Sequence, residues 1–490
     1  MTVATVNDAV RSFLDTLPDA VDATRDVHLK ALSLPFDRTT YDLAAFRAAI
    51  GDVPVLDDAV SVKRRSRDYY WFSPVLRPVL DGRYADLVVE PRDQADVIRV
   101  AAAAARLRIP VVVRGSGTGT YGQAVPLYGG IILDMSRLAA IEVLDDERIR
   151  CGAGLRIAEV DRLARGRGRE LRMHPSTKAI ATIGGYVCGG SGGVGSVNWG
   201  GLREPGNVIA ATVVTLEQTP RVLELKGAAC NLINRTFGTT GIVTAVEVPL
   251  APAHPWRDML FCFPHMPNAL RFSLALAEAD DITCKLVSTH APESAAWLRQ
   301  PLGDAIRAAE AAVLTMIAAP DAARAIALAA RHHGTVTMDE DALLKEATAG
   351  ALPLFEAAWG HTTLHAIRQN RDMSYLQALF PPGRVVETAE AMWRRFGDEL
   401  PLHLELIRYE GQVAANGAQL WPYTSIERLE EIIAIHEQAG VFIANPHVFT
   451  VDDGSRHKRV PGDQLAMKAD VDPHGLLNPG KMTSYVPLKP

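Results

Sequence analysis

Residues 114–122 read RGSGTGTYG, directly behind the apolar run IPVVV at 109–113. The spacing Gly117-x-Gly119-x-x-Gly122 is that of the G-x-G-x-x-G nucleotide fingerprint. A Rossmann site requires a helix to open at the third glycine, so that its N-terminal amides face a pyrophosphate. Here the chain continues QAVPLYGGIILDM, where Pro126, Gly129 and Gly130 forbid a helix and a strand follows. The Rossmann reading fails. What remains is a loop nearly free of side-chain bulk, whose backbone N–H groups converge on an anion as a nest, with hydroxyl donors at Ser116, Thr118 and Thr120. Taken alone, the loop also fits an ordinary glycine turn.

A second tract removes most of that ambiguity. Residues 184–201 (GGYVCGGSGGVGSVNWGG) hold nine glycines in eighteen positions, where 38 in 490 predicts about one or two. Each glycine costs about 0.5–1 kcal/mol of backbone entropy, so such density needs a reason, and close approach of the backbone to a bound molecule supplies one. Two such loops, each flanked by strands, suit a long ligand carrying a diphosphate and a flat ring.

The flanking segments alternate strand and helix. Residues 85–90 (ADLVVE), 109–113 and 131–135 read as strands, 93–108 as an amphipathic helix, and 145–147 as the turn of a strand pair. A helix at 157–165, strands near 208–225 and the segment 238–248 follow, and the Pro-containing stretch 249–255 marks a boundary. Beyond it the texture changes to longer helices, including the alanine-rich 303–332, with strands such as 403–409 (LHLELIRY spans 402–409) between them. The expected organisation is α+β: an N-terminal region 1–79 packing on a two-lobed ligand domain 80–255, a cap 256–440, and a C-terminal segment 441–490 returning to the first domain.

A chain of 490 residues is too long for one ordinary core. Its charge of -6, with both signs scattered, offers no basic face for a nucleic acid. No run approaches the roughly 18 apolar residues of a membrane span, and the first twenty residues lack a signal-peptide core, so no transmembrane segment and no export are expected. Five cysteines, odd in number and never C-x-x-C, disfavour a disulfide scaffold, a zinc finger or an iron–sulfur cluster and point to a reducing cytoplasm. A homodimer stays open.

The motifs in order resemble the FAD-linked oxidase and dehydrogenase superfamily, that of vanillyl-alcohol oxidase and the glycolate and D-lactate dehydrogenases, with its PCMH-type FAD-binding domain. The matching pieces are 114–126, GGIILDMSRL at 129–138, HPST at 174–177, ATIGG at 181–185, the glycine tract, GTTGIVT at 238–244 and VDPHGLLNPGKM at 471–482. The resemblance implies two lobes clamping FAD, a substrate-side cap and a C-terminal segment returning to the flavin. By position, it implies that Arg114, Gly115, Ser116, Gly117, Thr118, Gly119, Thr120 and Gln123 cradle the pyrophosphate. Thr182, Ile183, Gly184, Gly185, Gly189, Gly190, Ser191, Gly192, Gly193, Ser196 and Val197 would line the flavin and ribityl chain, with Pro175 and Ser176 in the same binding set. Gly241, Ile242 and Val243 would border the adenosine half, and Asn478 and Lys481 the ring system. Members that tether FAD covalently place a histidine near the position of Thr118 and a cysteine near that of Ile180. Neither nucleophile is present, so FAD is expected to be non-covalent.

On the substrate side the resemblance thins. The cap motif H-x-H-x-G-D-G-N-x-H of 2-hydroxy-acid dehydrogenases is missing, and the C-terminal E-H-G is replaced by Pro446-His447-Val448. Pro446 stands where the acidic metal ligand would be, so no metal is expected. His447 is suited to take a proton from a substrate hydroxyl as hydride leaves for flavin, although a buried histidine is equally often structural. On the strand at 403–409, Tyr409 offers a hydrogen bond to a substrate oxygen and Arg408 a partner for a carboxylate, depending on which face lines the pocket. Arg371, His361 and His365 are further candidates. The expected function is FAD-dependent oxidation of a small alcohol or hydroxy acid, with an electron acceptor (oxygen, a quinone or an electron-transfer protein) that the sequence does not name. The alternatives are a flavin-dependent synthase without net oxidation and a flavin-carrying electron-transfer subunit.

Overall fold

The computed structural model describes residues 22–190, 192–452 and 459–486. Ser191, one of the expected flavin-lining residues, lies outside them. The architecture is α+β, with three sheets arranged along the chain. In the first, β1 (Val55–Leu56), β2 (Leu87–Val89), β3 (Val111–Arg114) and β4 (Ile131–Asp134) lie in the order β1-β2-β4-β3. The last three are parallel. They read LVV, VVVR and IILD, runs without polar alternation, as expected of a parallel sheet buried on both faces. Helices α1 (Leu43–Ile50) and α2 (Gln94–Leu107) cover one face. Asp93 caps α2 by accepting from the Asp96 amide, and Arg108 ends it in the left-handed region, so the expected span 93–108 includes both caps.

The second sheet contains β5 (Ile141–Val143), β6 (Arg148–Gly152), β7 (Arg169–Leu171), β8 (Ala210–Val214), β9 (Val222–Lys226) and the long β10 (Ile242–Pro252). β10 is its hub and pairs antiparallel with β6, β7 and β8. Helices α3 (Ile157–Arg165) and α4 (Ile183–Gly189) pack into its core.

The third sheet has eight strands: β11 (Trp256–Phe263), β12 (Cys284–His290), β13 (Ala311–Ala318), β14 (Thr335–Asp341), β15 (Met373–Phe380), β16 (His403–Tyr409), β17 (Gln412–Pro422) and β18 (Phe442–Ala444). Their order is β14-β11-β13-β12-β16-β17-β15-β18. Helices α5 (Met266–Glu278), α6 (Gly360–Gln369), α7 (Val385–Phe396) and α8 (Ile426–Gln438) attend it. The expectation of helix across 303–332 needs correcting. Residues 311–318 (AAVLTMIA) form β13, whose every residue is buried. Val313, Thr315 and Ile317 are β-branched and the run is only eight residues, which favours a strand that periodicity alone cannot distinguish from a buried helix.

The C-terminal segment ties the first two sheets together. The Leu216 amide donates to Val471 O at 2.7 Å, the Val111 amide to Leu476 O at 2.9 Å, and the Asn478 amide back to Val111 O at 2.8 Å.

Candidate functional site

The first glycine loop leaves β3 and crosses to β4 without a helix. Gly117 and Gly122 sit at φ 66° and 76°, where side chains are strained. Arg114 roots the loop. Its guanidinium donates to Gly115 O (2.8 Å) and Arg67 O (3.3 Å), and Nε is buried without a partner. The second tract supplies α4, capped by Thr182, whose Oγ1 accepts from the Gly185 amide at 3.3 Å. The two loops touch, because a Cβ on Gly115 would overlap Thr182 Oγ1.

Between them lies a cavity of about 120 Å³. Of the residues expected to bind cofactor, Arg114 through Gly119, Gln123, Thr182, Gly184, Gly185, Gly189, Gly241 and Val243 line it. Sequence reasoning missed Asp68, Met135, Ala153, Cys188 and Phe237, which line it too. Met135, Ala153 and Val243 contribute to its wall together with Gln123, Ala124 and Phe237. Gly189 faces open space, since a Cβ there would meet nothing within 4 Å. A groove walled by two side-chain-poor loops, with an unsatisfied guanidinium nitrogen at its root, fits a phosphate-bearing dinucleotide. Burial pushes the Cys188 thiol up to about 12, so this cavity-lining cysteine is no thiolate nucleophile.

Asn478 and Lys481 are placed behind the first loop, and not at the cavity wall. Asn478 Nδ2 donates to Gln123 O (2.7 Å) and Phe237 O (2.8 Å), while Lys481 Nζ donates to Gly122 O (2.7 Å). Asp68 completes the clamp by accepting from the Ala124 amide at 3.2 Å. Desolvation drives this buried pair in opposite senses, Asp68 up to about 6 and Lys481 down to about 7. Ile242 is buried in the core of the first sheet, and Ile183 and Val197 are likewise core residues. Gly190 backs onto Arg235, and Gly193 onto the His174 carbonyl. Pro175 accepts from the Lys178 amide, Ser176 is buried, and Ser196 Oγ accepts from the Gly193 amide at 2.9 Å.

The third sheet meets the first loop through β15. Thr120 Oγ1 and Tyr375 Oη are 2.6 Å apart, and Tyr121 Oη bonds Gln377 Oε1. Burial raises the Tyr375 phenol well above 10, so it remains a neutral hydroxyl. Over the second tract stands Trp359, at φ 54°, so placed that a Cβ on Gly192 would come within 3.0 Å of its ring. Its amide donates to Glu405 Oε1, which also accepts from Ser288 Oγ and His403 Nε2, each at 2.8 Å.

The three expected catalytic side chains are not brought together at the cavity. His447 is fully buried, and both ring nitrogens are engaged: Nε2–H donates to Tyr375 O (3.1 Å) and Nδ1 meets Ser73 Oγ (2.7 Å). Tyr409 is 39% exposed at the end of its strand, and Arg408 donates to Gly411 O and Ala277 O. None of the three lines the cavity. The buried polar end of β16 is His403 and Glu405, its opposite end. His361 and His365 both bond Glu356 O.

Residues 85–223 match the FAD binding domain family. The chain is a flavoprotein, an FAD-dependent oxidoreductase built on a PCMH-type FAD-binding domain. Among its relatives, D-lactate dehydrogenase of Archaeoglobus fulgidus is 24% identical over 446 residues, covering 83% of this chain and 93% of that protein. Glycolate oxidase subunit GlcD of Bacillus subtilis is 26% identical over 436 residues, 81% of this chain and 88% of that protein. Alkyldihydroxyacetonephosphate synthase shares the fold, with a TM-score of 0.66 at 14% identity over 89% of this chain and 84% of that one. No described helix is long and apolar enough to cross a membrane.

Proposed function

We propose that the protein oxidises a hydroxyl-bearing small molecule with FAD held non-covalently between the two glycine loops. The observation that carries this reading is the cavity lined by both loops, the first of which is bonded to β15 through Thr120 and Tyr375. The bound flavin would supply the hydride acceptor. The first-loop amides and Arg114 would hold the pyrophosphate, and Thr182, Gly185 and Gly189 the chain beyond it. The names of the relatives, a lactate dehydrogenase and a glycolate oxidase, support a hydroxyl donor. The neutral Tyr375 hydroxyl would hold the first loop through Thr120, and His447 would act as a positioning residue that holds the Tyr375 carbonyl.

Five free cysteines support a cytoplasmic setting, and the start of the third sheet at β11 supports a boundary near 256. Acid precipitation is expected to release FAD into the supernatant, and anaerobic donor to bleach the oxidised flavin band. Colour that stays with the precipitate overturns non-covalent binding, and FMN in the supernatant overturns the site. Oxygen uptake during turnover distinguishes an oxidase from a dehydrogenase.

A further inference from the structure

Beside the cavity between the glycine loops lies a second, larger one of about 1030 Å³. Gly115, Ser116 and Gly117 line both, so this stretch of the first loop is a partition between them. Elsewhere the partition alternates by residue. Met135 and Ala153 line the inner cavity, whereas their chain neighbours Ser136 and Gly154 line the outer one. The residues that line the outer cavity all fall between 64 and 182, so none comes from the third sheet, which starts at Trp256.

The outer cavity is rich in guanidinium groups: five arginines line it against the carboxylates Asp68, Asp134 and Glu159. Two of those carboxylates are already engaged. Asp134 is paired with Arg65, and Asp68 accepts from the amides of Tyr70 (3.0 Å) and Ala124 (3.2 Å). Arg67 stands 3.5 Å from Asp81, and Arg114 donates only to backbone carbonyls, so its charge is not neutralised by an ion pair. Arg64 and Arg156 are exposed and have no ion pair or side-chain hydrogen bond among the described residues. They reach the cavity from opposite sides. Arg64 lies on the helix Ala59–Arg65, whose Val62 packs on Val88, Val112 and Ile132 of the first sheet. Arg156 directly precedes α3, whose Ile157, Val160 and Ala164 belong to the core of the second sheet. A cleft lined by charge of one sign concentrates ligands of the other, and each free guanidinium fork matches a carboxylate or phosphate.

We propose that the outer cavity is a binding site for a small molecule carrying two or more anionic groups, carboxylate or phosphate, met by Arg64 from the first-sheet side and Arg156 from the second. The site goes beyond the oxidoreductase reading and does not depend on which donor is oxidised. Protein loaded with FAD, its flavin content measured first, is titrated calorimetrically at low ionic strength with inorganic pyrophosphate, citrate and acetate. Pyrophosphate or citrate should bind at least about tenfold more tightly than acetate, because more than one arginine fork can be filled, and the tighter of the two identifies the preferred anionic group. Replacing both free arginines, Arg64→Gln with Arg156→Gln, should weaken that ligand about tenfold or more. The melting temperature should not move, since neither side chain has a partner to lose. Arg331→Gln, an exposed arginine outside the cavity, should leave the affinity unchanged. Equally tight binding of acetate overturns the proposal, as does an affinity that the double substitution does not alter, or failure of both polyanions to bind. Binding seen only in apoprotein and displaced by FAD overturns it too, because the anion would then occupy the place of the cofactor's own phosphates.

Discussion

His447 shows how much a side chain's partners decide. A catalytic base needs a free lone pair, but the Nε2–H of His447 is committed to Tyr375 O and its Nδ1 to the Ser73 hydroxyl. His447→Gln is therefore expected to slow anaerobic flavin reduction only about tenfold, well short of the roughly 10²–10⁴ of a general base, and to leave the pH profile in place. A loss of three powers of ten with a displaced acid limb would return the base to this residue. Asp258 in β11 is a second residue whose surroundings set its chemistry. It accepts from the Leu354 amide at 2.8 Å, but Oδ1 is buried without a partner and desolvation raises its carboxyl to about 6. Between the unfolded value near 4 and about 6 the folded state holds the extra proton, so this group costs stability as pH rises through that window, fully above it. Asp258→Asn keeps the acceptor and removes the charge. It should raise the melting temperature at pH 7.5, by about 1–3 kcal/mol in stability terms, with the gain shrinking toward pH 5. A gain that is the same at both pH values would refute this account.

Among the elements, the glycine tract divides into positions that face open space and positions that back onto the protein. Gly189 ends α4 with open space where a Cβ would go, whereas Gly190, at φ 67°, would press a Cβ onto the Arg235 backbone. Gly189→Ala should thus fold as well as the parent and weaken FAD by about tenfold or more, the effect of one methyl in a filled site. Gly190→Val should lose both cofactor and stability, because it is strained before any ligand arrives. Equilibrium dialysis of FAD beside thermal melts of the apoproteins distinguishes the two, and equal melting temperatures would contradict the assignment. Both loops were legible in the sequence, since glycine density, the proline at 126 and the capping pattern at Thr182 are local features. The strand β13 was not, because a short apolar run carries no periodicity that tells a fully buried strand from a buried helix.

Across the whole molecule, the cavity between the glycine loops belongs to no single sheet. Val113 and the first loop come from the first sheet, Ala153 and Val243 from the second, and the segment 471–478 pins the two together. Cofactor should therefore stabilise both lobes at once: apoprotein given FAD at 100 times its Kd is expected to gain about 2.7 kcal/mol, read as one shifted transition. A shift confined to a minor transition would mean that FAD touches one lobe only. Chelators are expected to leave activity intact, since the resemblance implies that Pro446 falls where its metal-binding members carry a carboxylate. The sequence by itself determined the two loops, the absence of a Rossmann helix and the cofactor, because each depends on residues close together in the chain. Only the tertiary structure decided that Tyr375 meets Thr120 across 255 positions, that Asp68, Asn478 and Lys481 brace the first loop from behind, and which end of β16 is buried. Those contacts are fixed by how the third sheet lies against the first two, and that packing leaves no local periodicity to read.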